Sequence, residues 1–160
     1  MRLNILFVLY GDLSSNTANP LRVFACELKK LGHECVVAVP DEGIYNAVFN
    51  PEPFALYSYS EVLKKPFEIF SRGKADIVHA CTLRQTVCNF LTLYLADNPT
   101  PLAVFMEDNE LWLTSNYLGI SPREVYLLSH KQLVDILPLQ YSSPFQSDLF
   151  LGLAEMVFLI

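Results

Sequence analysis

The chain predicts an α/β layered fold, a Rossmann-like parallel sheet with helices on both faces. Three observations carry that expectation. Its strand candidates are nearly continuous apolar runs, the pattern of strands covered on both sides. They alternate with segments that hold helix start and stop signals. The length, 160 residues, corresponds to one domain able to bury a sizeable core.

The first strand is Asn4–Tyr10 (NILFVLY). After the polar segment Gly11–Asn19, Asn19 suits an N-cap and Pro20 the first helical position. That helix runs to Leu31 with Leu21, Phe24, Leu28 and Leu31 on one face, and Gly32 ends it. Glu34–Val39, closed by Pro40, forms the second strand and completes a β-loop-α-β unit with a right-handed crossover. From Asp41 to Arg72 the pattern weakens: Phe54–Tyr59 reads as a short strand, and Ser60–Arg72 as a helix interrupted at Pro66. Asp76–Ala80 (DIVHA) is a strand, and Thr82 with Gln85 forms a capping box for a helix to about Ala96. Leu102–Met106 is a strand, followed by a helix around Leu111–Tyr117 that Asp108 or Asn109 would cap. Ser121, Pro122 and Glu124 start a helix that continues to about Leu137, and Ser143, Pro144 and Gln146 start a short one. Met156–Ile160 is the last strand. A parallel strand is normally followed by a loop and helix, so the expectation is a chain cut from a longer polypeptide. A domain ending in an edge strand is the alternative.

Composition narrows the function classes. Apolar residues make up 52% and charged ones 18%, so the chain is globular rather than disordered. The mean hydropathy of +0.29 fits either a sheet covered on both faces or a surface hidden by a partner. A net charge of −6, without a basic stripe, argues against a polyanion such as nucleic acid as ligand. Cys26, Cys35, Cys81 and Cys88 form no Cys-x-x-Cys pair, and His33, His79 and His130 are scattered, so no zinc spacing exists. The thiols read as four small buried hydrophobes in a reducing compartment. Arg2 and the apolar run after it imitate a signal peptide, but the run is short and no small-residue cleavage site follows. Leu149–Ile160 is too short to span a membrane and carries Glu155. The expected setting is the cytoplasm.

Ligands of open α/β sheets sit beyond the carboxyl ends of the strands, near the point where the strand order reverses. That rule selects the loops Gly11–Asn19, Cys81–Arg84 and Glu107–Glu110. The first is neither a dinucleotide fingerprint nor a Walker loop, so no cofactor is assigned. It offers Gly11 for a tight turn, the polar side chains Asp12, Ser14, Ser15, Asn16 and Thr17, and a helix amino end. A solvated, capping loop is the structural alternative. In the second loop His79 is a strand-end imidazole and Thr82 a cap. Arg84 faces an unfavourable helix dipole unless a carboxylate or anion lies near. The third loop packs Glu107, Asp108 and Glu110 within four residues. Their repulsion raises one pKa or attracts cations or sugar hydroxyls, unless the loop is only a solvated helix start. Glu107 and Asp108 are the candidates for catalysis; no metal is assigned.

The opening NILFVLYGDLSSNTANPLRVFACELKKLGHECVVAVP resembles the start of the retaining glycosyltransferases with two Rossmann domains (GT-B, family 4, group 1). Its parts are an apolar strand, a glycine-containing loop, a helix ending in Leu-Gly-His-Glu and a Val-rich strand. Lys74–Ala80 (KADIVHA) resembles that family's Asp-Ile-Val-His strand, Leu102–Glu110 the strand and loop after it, and Leu153–Ile160 the strand before its domain crossover. The resemblance implies that residues 1–160 form the amino-terminal, acceptor-side half of an enzyme that moves a sugar from a nucleotide-sugar donor. The carboxyl-terminal domain, which this fragment lacks, would bind most of the donor, so the fragment alone would be inactive. It further implies a sugar, lipid or glycan acceptor, and it is compatible with peripheral membrane association and a homo-oligomer. Gly11, Asp12, Asn16, Thr17, His79, Thr82 and Arg84 become the substrate-binding candidates. The chain departs from the family in having Gly11-Asp12 where two glycines are common. Phe105 and Met106 stand where a histidine is common.

A second class stays open: a stand-alone flavodoxin-like binding or interaction module without catalysis. Ser14, Ser15 and Thr17 loosely meet the needs of a flavin phosphate loop. A receiver domain is excluded by the lack of an Asp at the end of Asp76–Ala80.

Overall fold

The computed structural model describes residues 1–43 and 54–159. Among these, six parallel strands form one sheet in the order β3-β2-β1-β4-β5-β6. They are β1 (Asn4–Leu9), β2 (Glu34–Val39), β3 (Ala55–Ser58), β4 (Ile77–Cys81), β5 (Leu102–Met106) and β6 (Met156–Leu159). The helices are α1 (Ala18–Lys30), α2 (Tyr59–Lys64), α3 (Gln85–Asp97), α4 (Glu110–Leu118), α5 (Pro122–Val125), α6 (His130–Ile136) and α7 (Pro144–Leu153). The chain winds from β1 outward through β2 to β3, returns to β4, and winds outward again through β5 to β6. The order therefore reverses between β1 and β4, in the Rossmann-like pattern.

Strict register assigns the two faces. Ile5, Phe7 and Leu9 pair with Ile77, His79 and Cys81, while Leu6 and Val8 pair with Val78 and Ala80. His79 and Cys81 pair in turn with Ala103 and Phe105, and Phe105 pairs with Phe158. On the face of Leu6 and Val8, side chains from α2, α3 and α7 complete a continuous core. On the face of Phe7, α1 covers β1 and β2, leaving Phe158 exposed on β6.

Several boundaries depart from the sequence reading, each for a local reason. Helix α1 begins at Ala18, not after an Asn19 cap. The backbone already turns through Ser15–Asn19, with Ala18 N–H donating to Ser15 O and Asn19 N–H to Asn16 O. Pro20 falls at the third helical position, still inside the first turn, where a missing N–H costs nothing. The buried stripe of α1 is Ala18, Leu21 and Ala25, because the two alanines let the helix settle closely on the sheet. Phe24 and Leu31 are consequently 44% and 73% exposed. Gly32 does end the helix, at φ +88°, with His33 N–H returning to Leu28 O.

The Thr82–Gln85 capping box does not form. Arg84 is the N-cap of α3, and its side chain makes no cap bond. The loop before α7 supplies the acceptors instead: Gln85 N–H donates to Tyr141 O at 3.0 Å and Thr86 N–H to Leu139 O at 3.3 Å. The anticipated helix from Ser121 to Leu137 is two helices, since a second capping box, Ser129 with Gln132, opens α6 after α5 has ended. Helix α2 stops before Pro66, and no helix resumes between Pro66 and Arg72. Cys35, Cys81 and Cys88 are buried, but Cys26 is only half-buried on α1. Residue Ile160, the end of the anticipated last strand, lies outside the described residues.

Candidate functional site

The carboxyl ends of β1, β4 and β5 meet where the strand order reverses, and the loops after them line a crevice. Its walls are Tyr10, Asn16, Arg84, Glu107 and Asp108, around about 480 Å³ of open volume. All three loops selected from the sequence contribute to it or support it.

Arg84 is the centre of the arrangement. Its guanidinium lies 4.2 Å above the centre of the Tyr10 ring. Nη2 donates to Asp108 Oδ2 at 3.2 Å and Nε to Glu110 Oε1 at 3.4 Å. The side chain is largely buried, at 15% exposure, and at the amino end of α3 it needs those carboxylates to offset the helix dipole. The aromatic face adds a cation–π attraction.

The three carboxylates do different things. Glu110, 4% exposed, also accepts from the Ser142 hydroxyl at 3.2 Å. Burial pushes its carboxyl above the usual range, against the opposing pull of Arg84 and Ser142. It is therefore the fixed structural partner of Arg84. Asp108 is half exposed at the crevice rim. Glu107 Oε2 accepts from the Thr17 hydroxyl at 2.7 Å, which ties the β1 loop to the β5 loop. Asn109 caps α4 by accepting from Trp112 N–H at 3.0 Å, so neither Glu107 nor Asp108 is consumed as a cap.

The β1 loop is braced from within. Asp12 Oδ1 accepts from the Ser14 N–H at 2.8 Å and from the Ser14 hydroxyl. Gly43 closes on Asp12, since a Cβ there would sit 3.2 Å from the Asp12 Cβ. Gly11 borders a neighbouring hollow with Asp12 rather than the crevice itself. It has no positive φ, and a Cβ would meet Ser15 at an ordinary 3.8 Å, so the turn does not require glycine. Asn16 is on the crevice wall, whereas Thr17 lines an apolar cavity on the sheet face and touches the crevice only through Glu107.

His79 and Thr82 stand apart from the crevice. His79 projects from the middle of the sheet face, among Phe7, Phe24, Phe105 and Phe158. Burial lowers its pKa from 6.5 to about 4, so the ring is neutral. Thr82 is fully buried at φ +69°, and its hydroxyl has no partner among the described residues. A β-branched residue there is strained.

Sequence reasoning missed Tyr10, Ser142 and the structural role of Glu110. Tyr10 carried a signal: as the last residue of an apolar run, its hydroxyl-bearing ring would emerge at the strand end. Ser142 carried none, because only folding brings it across 32 residues to Glu110. Among the described residues no cluster of His, Cys, Asp and Glu could hold a metal ion. No described helix is long and apolar enough to cross a membrane.

No family model matches the chain, and no curated protein matches it in sequence. Solved structures do share its fold. MT0777 superposes with a TM-score of 0.57 at 11% identity, over 100% of this chain and 86% of that one. UGT2 of Phytolacca americana, solved with UDP-2fluoro-glucose and pterostilbene, superposes with a TM-score of 0.52 at 11% identity, over 99% of this chain and 48% of UGT2. Its apo form gives 0.52 and 11%, over 98% and 45%. This chain thus spans about half the length of UGT2. At such identity the likeness concerns the fold alone: a six-stranded, all-parallel Rossmann-like sheet of the kind found in a GT-B glycosyltransferase.

Proposed function

We propose that this chain is the amino-terminal, acceptor-side half of a glycosyltransferase with two Rossmann-like domains. The enzyme would move a sugar from a nucleotide-sugar donor to an acceptor hydroxyl in the cytoplasm, with the retaining chemistry of family 4. The convergence of Tyr10, Asn16, Arg84, Glu107 and Asp108 at the carboxyl ends of β1, β4 and β5 carries this reading. It occupies the ligand position of open α/β sheets.

The electrostatics favour hydroxyls over phosphates. Glu107, Asp108 and Glu110 outnumber Arg84, which is already engaged by two of them. The first amides of α3 are closed by Leu139 and Tyr141 carbonyls, and those of α1 by its own loop. A donor diphosphate would therefore be held mainly by the carboxyl-terminal domain, while this half positions the acceptor. The same closed amides weigh against a flavodoxin-like phosphate site. Phe105 turns to the open sheet face and Met106 into the opposite core, so neither takes up a histidine's task in the crevice. In this reading Glu107 is the residue that polarises an acceptor hydroxyl or balances transition-state charge, and Arg84 holds Asp108 in place.

The test pairs two preparations. A polypeptide joining this chain to its donor domain should consume nucleotide sugar in the presence of an acceptor. The 160-residue chain should not, and calorimetry should show nucleotide-sugar binding weaker than micromolar. Micromolar binding to the chain alone, or no turnover by the two-domain protein across nucleotide sugars, contradicts the proposal.

A further inference from the structure

The crevice does not end at Tyr10. A further hollow, of about 340 Å³, shares Tyr10 as a wall and is bordered by Asp12, Glu42, Gly43, Thr86 and Gln140. Its walls are tied together. Thr86 Oγ1 donates to Tyr10 O at 3.3 Å, which fixes α3 to the end of β1. Gly43 N–H donates to Pro40 O at 2.8 Å, and the turn this closes lies against Asp12. Leu139 O accepts from Thr86 N–H at 3.3 Å and sets Gln140 on the rim. Crevice and hollow therefore form one groove over the carboxyl ends of β1, β2, β4 and β5. Glu107 and Asp108 stand at one end and Glu42 at the other.

Asp12, Glu42, Glu107 and Asp108 line this groove against a single base, Arg84. Arg84 is already held by Asp108 and Glu110. An anionic ligand would meet uncompensated negative charge along the whole length. The groups left for a ligand are the Asn16 and Gln140 carboxamides and the Glu42 carboxylate. Their side chains make no hydrogen bond among the described residues. A carboxamide donates and accepts, and a carboxylate accepts at either oxygen, so these groups suit hydroxyls. They are spread along the groove, Asn16 in the crevice and the other two in the hollow. Each part alone, at 480 and 340 Å³, is already of small-ligand size. A ligand that meets all three groups must carry hydroxyls along its length.

We infer that this groove binds an uncharged oligosaccharide, with its end residue at Glu107 and its next residues in the hollow of Glu42 and Gln140. The inference rests on the transferase reading and narrows its acceptor to a glycan. An apolar acceptor would lie instead on the other side of Glu107 and Asp108, in the hollow walled by Met106, Leu111, Leu151 and Leu159.

Titrations of the chain, followed by NMR of amide and methyl groups, test the assignment. Maltotriose, cellotriose and laminaritriose are the uncharged probes, and glucose is the single-ring control. Trigalacturonate is anionic, and octyl glucoside carries an apolar tail. At least one trisaccharide should bind saturably and about tenfold tighter than glucose, the scale of one added hydrogen bond. Shifts should fall on the Asn16 and Gln140 carboxamides and on the Gly11 and Gly43 amides, and trigalacturonate should not bind. Glu42→Ala and Gln140→Ala, both at exposed side chains, should bring that trisaccharide down to the affinity of glucose and leave glucose unchanged. Asp135→Asn, on α6 and outside the groove, should alter neither. No saturable trisaccharide binding, a trisaccharide no tighter than glucose, or equal binding of trigalacturonate overturns the inference. So does octyl glucoside binding more tightly than every trisaccharide, with shifts at Leu151 and Leu159. Binding is read here without turnover, so the two readings fail separately. A two-domain protein that transfers no sugar refutes the transferase; one that glycosylates simple alcohols, while the chain binds no trisaccharide, refutes the glycan groove alone.

Discussion

The two faces of one sheet differ in how they are finished. On one, Leu6, Val8, Val78, Ala80 and Val104 lie fully buried under α2, α3 and α7. On the other, α1 closes the β1–β2 half, and the β4–β6 half presents an aromatic cluster with a buried imidazole at its centre. The strands have the same register on both faces, so sheet geometry cannot account for the contrast. The connections do. Every described helix that follows β3, β4 or β5 and packs on the sheet lies on the first face, as right-handed crossovers in one direction require. The second face receives α1, from the crossover in the opposite direction. Chain direction, more than side-chain preference, decides which half of a face stays open.

Truncations should expose this contrast most strongly. Leu91→Ala, in α3 over the covered face and fully buried, should cost ~2–5 kcal/mol by chemical denaturation. Phe158→Ala on the open face removes a larger ring but should cost less than ~1.5 kcal/mol, because much of that ring remains in water. Equal losses would mean that the open face is packed in solution.

Acid should attack the open face through His79. Its pKa falls from 6.5 to about 4 on folding, because burial disfavours the imidazolium. The corresponding stability is present above pH 6.5 and is lost as the pH drops from there toward 4. The difference amounts to at most ~3 kcal/mol. Thermal midpoints of the wild type and His79→Phe should therefore converge, or cross, between pH 7 and pH 4.5. A constant gap across that range would place His79 in water.

Smaller effects test the loops that join the faces to the crevice. Asn109→Ala removes the α4 cap and should destabilise by ~1 kcal/mol. Thr82→Gly relieves a β-branched residue at φ +69° and removes an unpartnered hydroxyl. It should stabilise by about 1 kcal/mol despite the entropy of glycine. Loss of stability in that variant would show that the Thr82 hydroxyl has a partner in solution.

The fold was legible because parallel strands buried on both sides write themselves as unbroken apolar runs; Leu102–Met106 matches β5 in full. Helix ends were less legible. Thr82 and Gln85 have capping-box spacing, yet carbonyls from Leu139 and Tyr141, more than fifty residues on, occupy the amides first. A cation at the amino end of a helix, as at Arg84, does call for nearby carboxylates, which are Asp108 and Glu110. Local reasoning could not rank the three acids, because Glu110 owes its burial to Ser142 and to α4. Nor could it separate His79 from Arg84: they lie five residues apart, but strand alternation turns one to the sheet face and the loop carries the other to the crevice.

Under the proposed function, chemistry resides in the crevice and not on the open face. Turnover and thermal midpoint of Glu107→Gln, in a polypeptide joining the chain to the proposed donor domain, decide between these two places. Glutamine keeps an oxygen for the Thr17 hydroxyl, so the midpoint should stay within a few degrees of wild type. Turnover should fall about 10²–10⁴-fold, the usual loss on removing a positioned base or charge partner. Near-normal turnover at an unchanged midpoint would contradict the claim and leave Glu107 as a tie between two loops.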